Sequence, residues 1–262
     1  MNLNLKGKRA LVCGSTQGIG KAAAIELATL GAEVILTARN EEQLKKVCSE
    51  LDASHQQKHS YIAVDFSNPK LLQELVQKEI TANGNIHILV NNTGGPAAGP
   101  IVSAKTEEFT NAFNQHLICN HVLVQELAEG MKKDNYGRII NVISTSVKLP
   151  LKGLGVSNTI RAAVANWSKT LSIELAPFGI TVNNVLPGAT NTIRLTSIIE
   201  NKSKRTGTTE ESIKQEMLHE IPAGRFADAS EIANAIAFLA SPAAAYINGI
   251  NVPVDGGRTG CL

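Results

Sequence analysis

The sequence predicts an α/β domain built on a doubly wound, seven-stranded parallel sheet with helices on both faces. Strand-like and helix-like patterns alternate along all 262 residues. The strand runs are continuously apolar or β-branched, as in strands covered on both faces. The first of them runs directly into a glycine turn, Ala10-Leu11-Val12-Cys13-Gly14-Ser15-Thr16-Gln17-Gly18-Ile19-Gly20. Strands separated by helices imply right-handed crossovers in one parallel sheet. No linker, repeat or low-complexity segment divides the chain, so residues 1–262 read as a single domain.

The glycine turn reads as strand, tight turn, helix. Gly14, Gly18 and Gly20 stand at G-x-x-x-G-x-G spacing after the apolar run 10–13. Such a turn needs φ > 0 and must let a phosphate approach the backbone without meeting a Cβ. The following helix offers free N–H groups and a positive dipole end to that phosphate. The stretch therefore reads as a dinucleotide pyrophosphate site. Ile19, Ala23, Leu27 and Leu30 recur on one helix face, and Gly31 stops the helix.

The other elements follow in order. A β-branched strand spans 33–37 and a helix 41–51. A strand over 60–64 ends at Asp65, and Asn68-Pro69 opens a helix to about 81. A strand over 86–90 ends in Asn91-Asn92-Thr93-Gly94-Gly95-Pro96. One long amphipathic helix is expected over 106–133, with Phe109, Phe113, Leu117, Val124 and Leu127 on its apolar side. A strand over 138–143 ends at Ser144, and a helix covers 155–176. A strand over 181–186 stops at Pro187-Gly188. The polar segment 189–221 predicts two helices that cover a substrate. Ser230 is expected to cap a helix carrying Ile232, Ile236 and Leu239. The last strand, 250–254, ends at Asp255-Gly256-Gly257. Ligands on such a sheet bind beyond the carboxyl ends of the strands, where these polar and glycine-rich segments gather.

Bulk composition narrows the partners. Hydrophobic residues make up 43%, enough for a full core, and a net charge of +2 gives no reason to expect nucleic acid. Lys202-Ser203-Lys204-Arg205 reads as a solvated basic cluster. No apolar run approaches the ~20 residues of a membrane span, and the N-terminus has no apolar signal core. Cys13, Cys48, Cys119 and Cys261 are scattered without metal-ligand spacing, which argues for a reducing cytoplasm and against zinc or disulfides.

Over nearly its whole length the pattern resembles the short-chain dehydrogenase/reductase family, most closely its 3-oxoacyl-carrier-protein-reductase branch, and hence a Rossmann-type fold. The matching residues are the glycine turn, Asp65, Asn91-Asn92-Thr93-Gly94, Gly137-Arg138-Ile139-Ile140-Asn141 leading to Ser144, Pro187-Gly188, Thr192 and Asp255-Gly256-Gly257. The resemblance implies a cofactor path. Asp65, with Phe66 beside it, lies at the adenine. Asn91, Thr93 and Gly94 line the adenosine and ribose. Thr192, beyond Pro187 and Gly188, touches the nicotinamide carboxamide. NAD-specific relatives carry an acid after the second strand to hold the ribose 2′-OH. Here Ala38 is followed by Arg39, whose guanidinium suits a 2′-phosphate, so NADP(H) is expected over NAD(H).

The catalytic positions depart from the family's Asn, Ser, Tyr and Lys. The Ser falls on Ser144, but family spacing places Ser157 at the Tyr, Arg161 at the Lys and His116 at the Asn. Arg161-Ala162-Ala163-Val164 keeps the usual flanking pattern. Ser157 and Arg161 are one helical turn apart and share a face. Arg161 can donate to ribose hydroxyls, but it stays cationic and relays no proton. A serine hydroxyl is a far weaker acid than tyrosine. The nearby side chain with a suitable intrinsic pKa, near ~6.5, is His116. Tyr61, Tyr136 and Tyr246 map away from the site.

Two functions fit. One is an NADP(H)-dependent oxidoreductase acting on a carbonyl or alcohol, in which Ser144 and Ser157 bind the oxygen and His116 or an ordered water handles the proton. The other is a weakly active or inactive cofactor-binding sensor or partner subunit. A homodimer or homotetramer is expected from the resemblance and from Phe109, Phe113, Val164 and Trp167 on outer helix faces.

Overall fold

A computed structural model describes residues 1–261. One parallel sheet carries every strand, in the order β3-β2-β1-β4-β5-β6-β7. At its centre lies β1 (Arg9–Cys13), between β2 (Glu33–Ala38) and β4 (Ile88–Asn91). Leu11 sits opposite both Ile35 and Leu89, all fully buried, which explains the unbroken apolar runs. Beyond them lie β3 (Ser60–Ala63) on one side, and β5 (Gly137–Val142), β6 (Ile180–Pro187) and β7 (Asn251–Val254) on the other. The order reverses between β1 and β4, and this switch point opens a crevice at the carboxyl ends.

Helices cover both faces. On one, α1 (Gly18–Thr29) and α9 (Ala229–Ala240) pack together through Ala24, Leu27, Ile232 and Ile236. On the other, α3 (Pro69–Asn83), α5 (Cys119–Lys133) and α6 (Gly155–Leu175) enclose Leu72, Leu123, Leu127 and Leu175. The short α2 (Glu41–Glu50) seats Leu44 and Val47 in the first of these layers. In the segment 189–221, α7 (Ile193–Thr206) and α8 (Glu210–His219) pair around Leu195, Ile199 and Ile213. No described helix is long and apolar enough to cross a membrane.

Three expectations change. The helix over 106–133 is continuous but not uniform: α4 (Thr106–Phe113) passes into α5 through a π-helical turn, Asn114–Ile118. Its apolar periodicity conceals the extra residue, because each half keeps its own buried stripe. The last long helix is capped by Asp228 rather than Ser230. Glu231 accepts from the Asp228 backbone N–H at 2.9 Å, a D-x-x-E capping box two residues earlier than expected. Val164 is not on an outer face, since it is 1% exposed and packs on Ile143 and Leu186. Trp167 is half-buried, its indole donating to His121 Nδ1 at 3.4 Å, whereas Phe113 stays exposed.

Candidate active site

The glycine turn is built for close approach. Gly14 has φ +60°, and a Cβ there would stand 2.6 Å from the Asn92 carbonyl oxygen. A Cβ on Gly20 would stand 2.2 Å from the Gly14 carbonyl oxygen. Asn92 pins the turn to β4 by donating to the Cys13 and Gly14 carbonyls, at 3.2 and 3.3 Å. Ser15 turns inward: its Oγ accepts from the Thr37 N–H at 2.9 Å, so its side chain holds the turn to β2. Thr16 is half-buried and Gln17 exposed. Gln17 is the N-cap of α1, yet no side chain caps that end and no acid lies in its first turn. The first N–H groups and the positive dipole end are therefore left for an anion.

The rest of the path follows the strand ends. Arg39 follows β2, with its side chain 78% exposed and 3.8 Å from Asp65. The Ser67 backbone N–H, assisted by the Ser67 hydroxyl and by Arg39, holds the Asp65 carboxyl below its ordinary pKa. Phe66 departs from expectation: its ring lies in the core beneath β3, and its carbonyl accepts from Cys119 Sγ. Gly94 is exposed in the loop after β4, and Pro187 and Gly188 are half-buried where β6 ends. Thr192 Cγ2 lies 3.3 Å from where Gly18 would carry a Cβ, which brings the start of α7 over the glycine turn.

An asparagine ladder crosses the sheet, starting at the carboxyl end of β4. Asn91, Asn141, Asn184 and Asn251 pair in register across β4, β5, β6 and β7. Each amide donates to the next, at 2.8, 3.0 and 2.8 Å, and Asn184 also donates to Ser168 Oγ. The Oδ1 of Asn91, at the head of the ladder, is buried without a protein partner. Sequence reading picked Asn91 but missed the other rungs. Their signal was an Asn recurring in each of four strands that pair in register.

The catalytic positions gather beyond β4 and β5. Ser144 caps a short 3₁₀ turn, its Oγ accepting from the Ser146 N–H at 3.1 Å, so its own O–H remains available to donate. On α6, Ser157 is half-buried and Arg161 is buried. Arg161 Nη1 donates to the Val142 carbonyl at 2.8 Å, directly beneath the segment that carries Ser144. The π-helical turn holds His116, 2% exposed, with Nδ1 2.5 Å from the Thr93 hydroxyl.

Electrostatics correct one expectation. Burial, reinforced by the charges of Arg161 and Arg194, pushes the His116 pKa down to about 2. His116 is thus a neutral imidazole at any working pH, not an acid poised near neutrality. Burial and the Arg194 charge likewise lower Arg161, to about 10, so it remains a cation. Arg194, which sequence reading passed over as an ordinary residue of the covering segment, reaches back from α7 to the Pro96 carbonyl at 2.5 Å. Tyr136 lies at the opposite end of the sheet, donating to the Ala240 carbonyl at 2.8 Å, and Tyr246 is fully exposed.

A family model described as enoyl-(acyl carrier protein) reductase matches residues 14–259. The 3-oxoacyl-[acyl-carrier-protein] reductase FabG of Vibrio cholerae is 36% identical over 255 residues, 97% of this chain and 98% of that protein. The NADPH-dependent reductase BacG of Bacillus subtilis is 32% identical over 251 residues, 95% and 97% of the two chains. The structure of L-sorbose reductase from Gluconobacter frateurii, complexed with NADPH and L-sorbose, superposes with a TM-score of 0.92 at 30% identity, over 100% of both chains. A glycine turn at the switch point, a carboxylate after β3, serine after β5 and likeness over full length lead to one conclusion: the chain belongs to the short-chain dehydrogenase/reductase family, on its 3-oxoacyl-acyl-carrier-protein-reductase-like branch.

Proposed function

We propose that the protein is an NADP(H)-dependent oxidoreductase that reduces a carbonyl, or oxidises the matching alcohol, with Ser157 and Arg161 where relatives use a Tyr and a Lys. The observation that carries this reading is the convergence of an uncapped α1 N-terminus with a serine whose O–H is free to donate. The residues fit the cofactor. Glycines that admit no Cβ would cradle the pyrophosphate, and Arg39 would pair the 2′-phosphate. Asp65 would meet the adenine, and Arg161 the nicotinamide ribose. The NADPH-dependent relatives support the same choice.

The cofactor supplies the hydride when bound. The chain's own part is to hold the carbonyl and stabilise the charge that develops on its oxygen. Ser144 donates to that oxygen, and Ser157 offers a second hydroxyl one turn from Arg161. The Arg161 guanidinium, itself buried, stabilises the developing alkoxide. No side chain here has the acidity to complete the step alone. The alkoxide takes its proton from water, with neutral His116 holding Thr93 and the loop after β4 in place. The segment 189–221 covers the bound substrate within the single domain, and the chain self-associates through its exposed apolar helix faces, including Phe113 and Ile173. Sedimentation equilibrium at micromolar concentration is expected to show a dimer or tetramer.

The test is NADPH oxidation against a broad carbonyl panel, run beside the double variant Ser157→Tyr, Arg161→Lys. Turnover by the native protein supports the enzyme. NADPH binding without any turnover, with activity appearing only in the double variant, replaces it with a cofactor-binding sensor or partner.

A further inference from the structure

The other buried and half-buried arginines of this chain are satisfied. Arg9 is paired with Glu33 and Glu79, and Arg258 with Glu220. Arg138 has no acid, but it donates to the Gly137, Gly179 and Ser241 carbonyls and stacks on the Tyr136 ring at 4.2 Å. Arg161 and Arg194 differ. Neither meets a carboxylate among the described residues, and each uses one of its five N–H donors on a single carbonyl, that of Val142 or of Pro96. Val142 ends β5 and Pro96 lies in the loop after β4, the adjacent strand, so the two guanidiniums hang from neighbouring positions on the crevice floor. Beside them is a third unsatisfied group: His116 Nε2 is buried without a partner. The Arg194 charge is close enough to disfavour the Arg161 cation, and both guanidiniums disfavour a charged His116.

A buried cation beside a half-buried one, neither with an acid, is costly unless an anion joins them. An alkoxide in the transition state accounts for Arg161 alone. It leaves Arg194 unexplained, and Arg194 is there before any reaction begins. The pyrophosphate is served elsewhere, at the α1 N-terminus, and the 2′-phosphate by exposed Arg39. We infer that the substrate is an oxo acid whose carboxylate is gripped by Arg194, which hangs from the Pro96 carbonyl beside Arg161 and His116. This inference rests on the carbonyl-reducing reading above and narrows it to a substrate class. Arg194 stands on the covering segment, so the carboxylate would also draw the start of α7 onto the crevice, coupling substrate charge to closure.

The experiment compares straight-chain oxo acids of four to ten carbons with their methyl esters, for the native protein, Arg194→Met and Arg194→Lys. Native kcat/KM is expected to favour acid over ester at least ~10-fold, as loss of a charge-assisted contact predicts. Arg194→Met should erase that preference, Arg194→Lys should keep part of it, and the NADPH Kd should stay within about twofold. Equal handling of acids and esters, or a preference that survives Arg194→Met, overturns the inference while leaving the reductase intact. A rise in the NADPH Kd that matches the loss of activity overturns it too, by assigning the guanidinium to the cofactor. If nothing in this series turns over, the reductase reading is judged by the broad carbonyl panel, and calorimetry of the NADP⁺ complex with the same oxo acids decides the anion site. Binding lost in Arg194→Met supports the anion site, and no binding to the native complex overturns it.

Discussion

Arg161 Nη1 rests on the carbonyl of Val142 at 2.8 Å, and this one hydrogen bond is all that the described residues give a guanidinium almost wholly removed from water. Stability and binding are therefore opposed at this position. A buried cation without an acid weakens the fold, and an apolar residue of similar length is tolerated there. Arg161→Met is expected to leave the ligand-free Tm unchanged or raised, each kcal/mol gained adding roughly 2–4 °C in a chain of this size. The same variant should weaken NADPH binding by at least ~10-fold. Thermal melts with and without cofactor, together with fluorescence titration of NADPH, check both halves.

We propose that Arg39, just past β2 with its side chain largely exposed, sets the cofactor preference. Arg39→Asp removes the partner of a 2′-phosphate and adds a like charge near Asp65, a repulsion as well as a lost attraction. NADPH should bind the native protein more tightly than NADH, with the order reversed in the variant. Equal calorimetric affinities for the two cofactors in the native protein would contradict this assignment.

His116 gives a pH signature with a definite sign. Its folded pKa, about 2, lies far below the ~6.5 of an unfolded histidine, so below that value the unfolded chain binds a proton that the folded one refuses. The neutral ring adds no such penalty above pH ~6.5. As the pH falls from ~6.5 towards 2, the native state loses stability at up to ~1.4 kcal/mol per pH unit from this group. His116→Asn removes the liability, so its Tm should fall less than that of the native protein between pH 7 and pH 5. The His116 ring resonances should also stay unshifted across that interval.

How much of this was legible in the chain depends on range. The sheet, its order of elements and the glycine turn are written in local patterns, apolar runs and turn residues, and they emerge as expected. Ser144 and Arg161 were placed by spacing along one strand and one helix. Arg194 was not found, because its role comes from a reach of 98 residues to Pro96 and no local pattern encodes that. His116 was found, but its proton affinity was misjudged. An intrinsic pKa says nothing about burial or about two guanidiniums arriving from α6 and α7.

The asparagine ladder offers the sharpest test of packing. Asn141 is an inner rung, and removing it strands the Asn91 donor and the Asn184 acceptor in a buried layer. Each unsatisfied group costs ~1–3 kcal/mol, so Asn141→Leu should destabilise by several kcal/mol in urea denaturation. Asn251→Ala, at the exposed edge, should cost much less.

The π-helical turn has a mechanical consequence. An α-helix advances about 100° per residue, so one surplus residue re-aims everything beyond it. Before the turn, Ala112 and Phe109 face Val156 and Ile160 of α6; after it, Leu123 and Leu127 face the sheet and α3. A uniform helix could satisfy one of these bearings but not both. His116 sits at the joint where the two bearings meet. A single-residue deletion within 114–118 would straighten the helix, swing one half off its seat and withdraw the imidazole from the crevice together. The phase of this helix and the shape of the catalytic floor are thus one inherited setting, which can drift only as a pair.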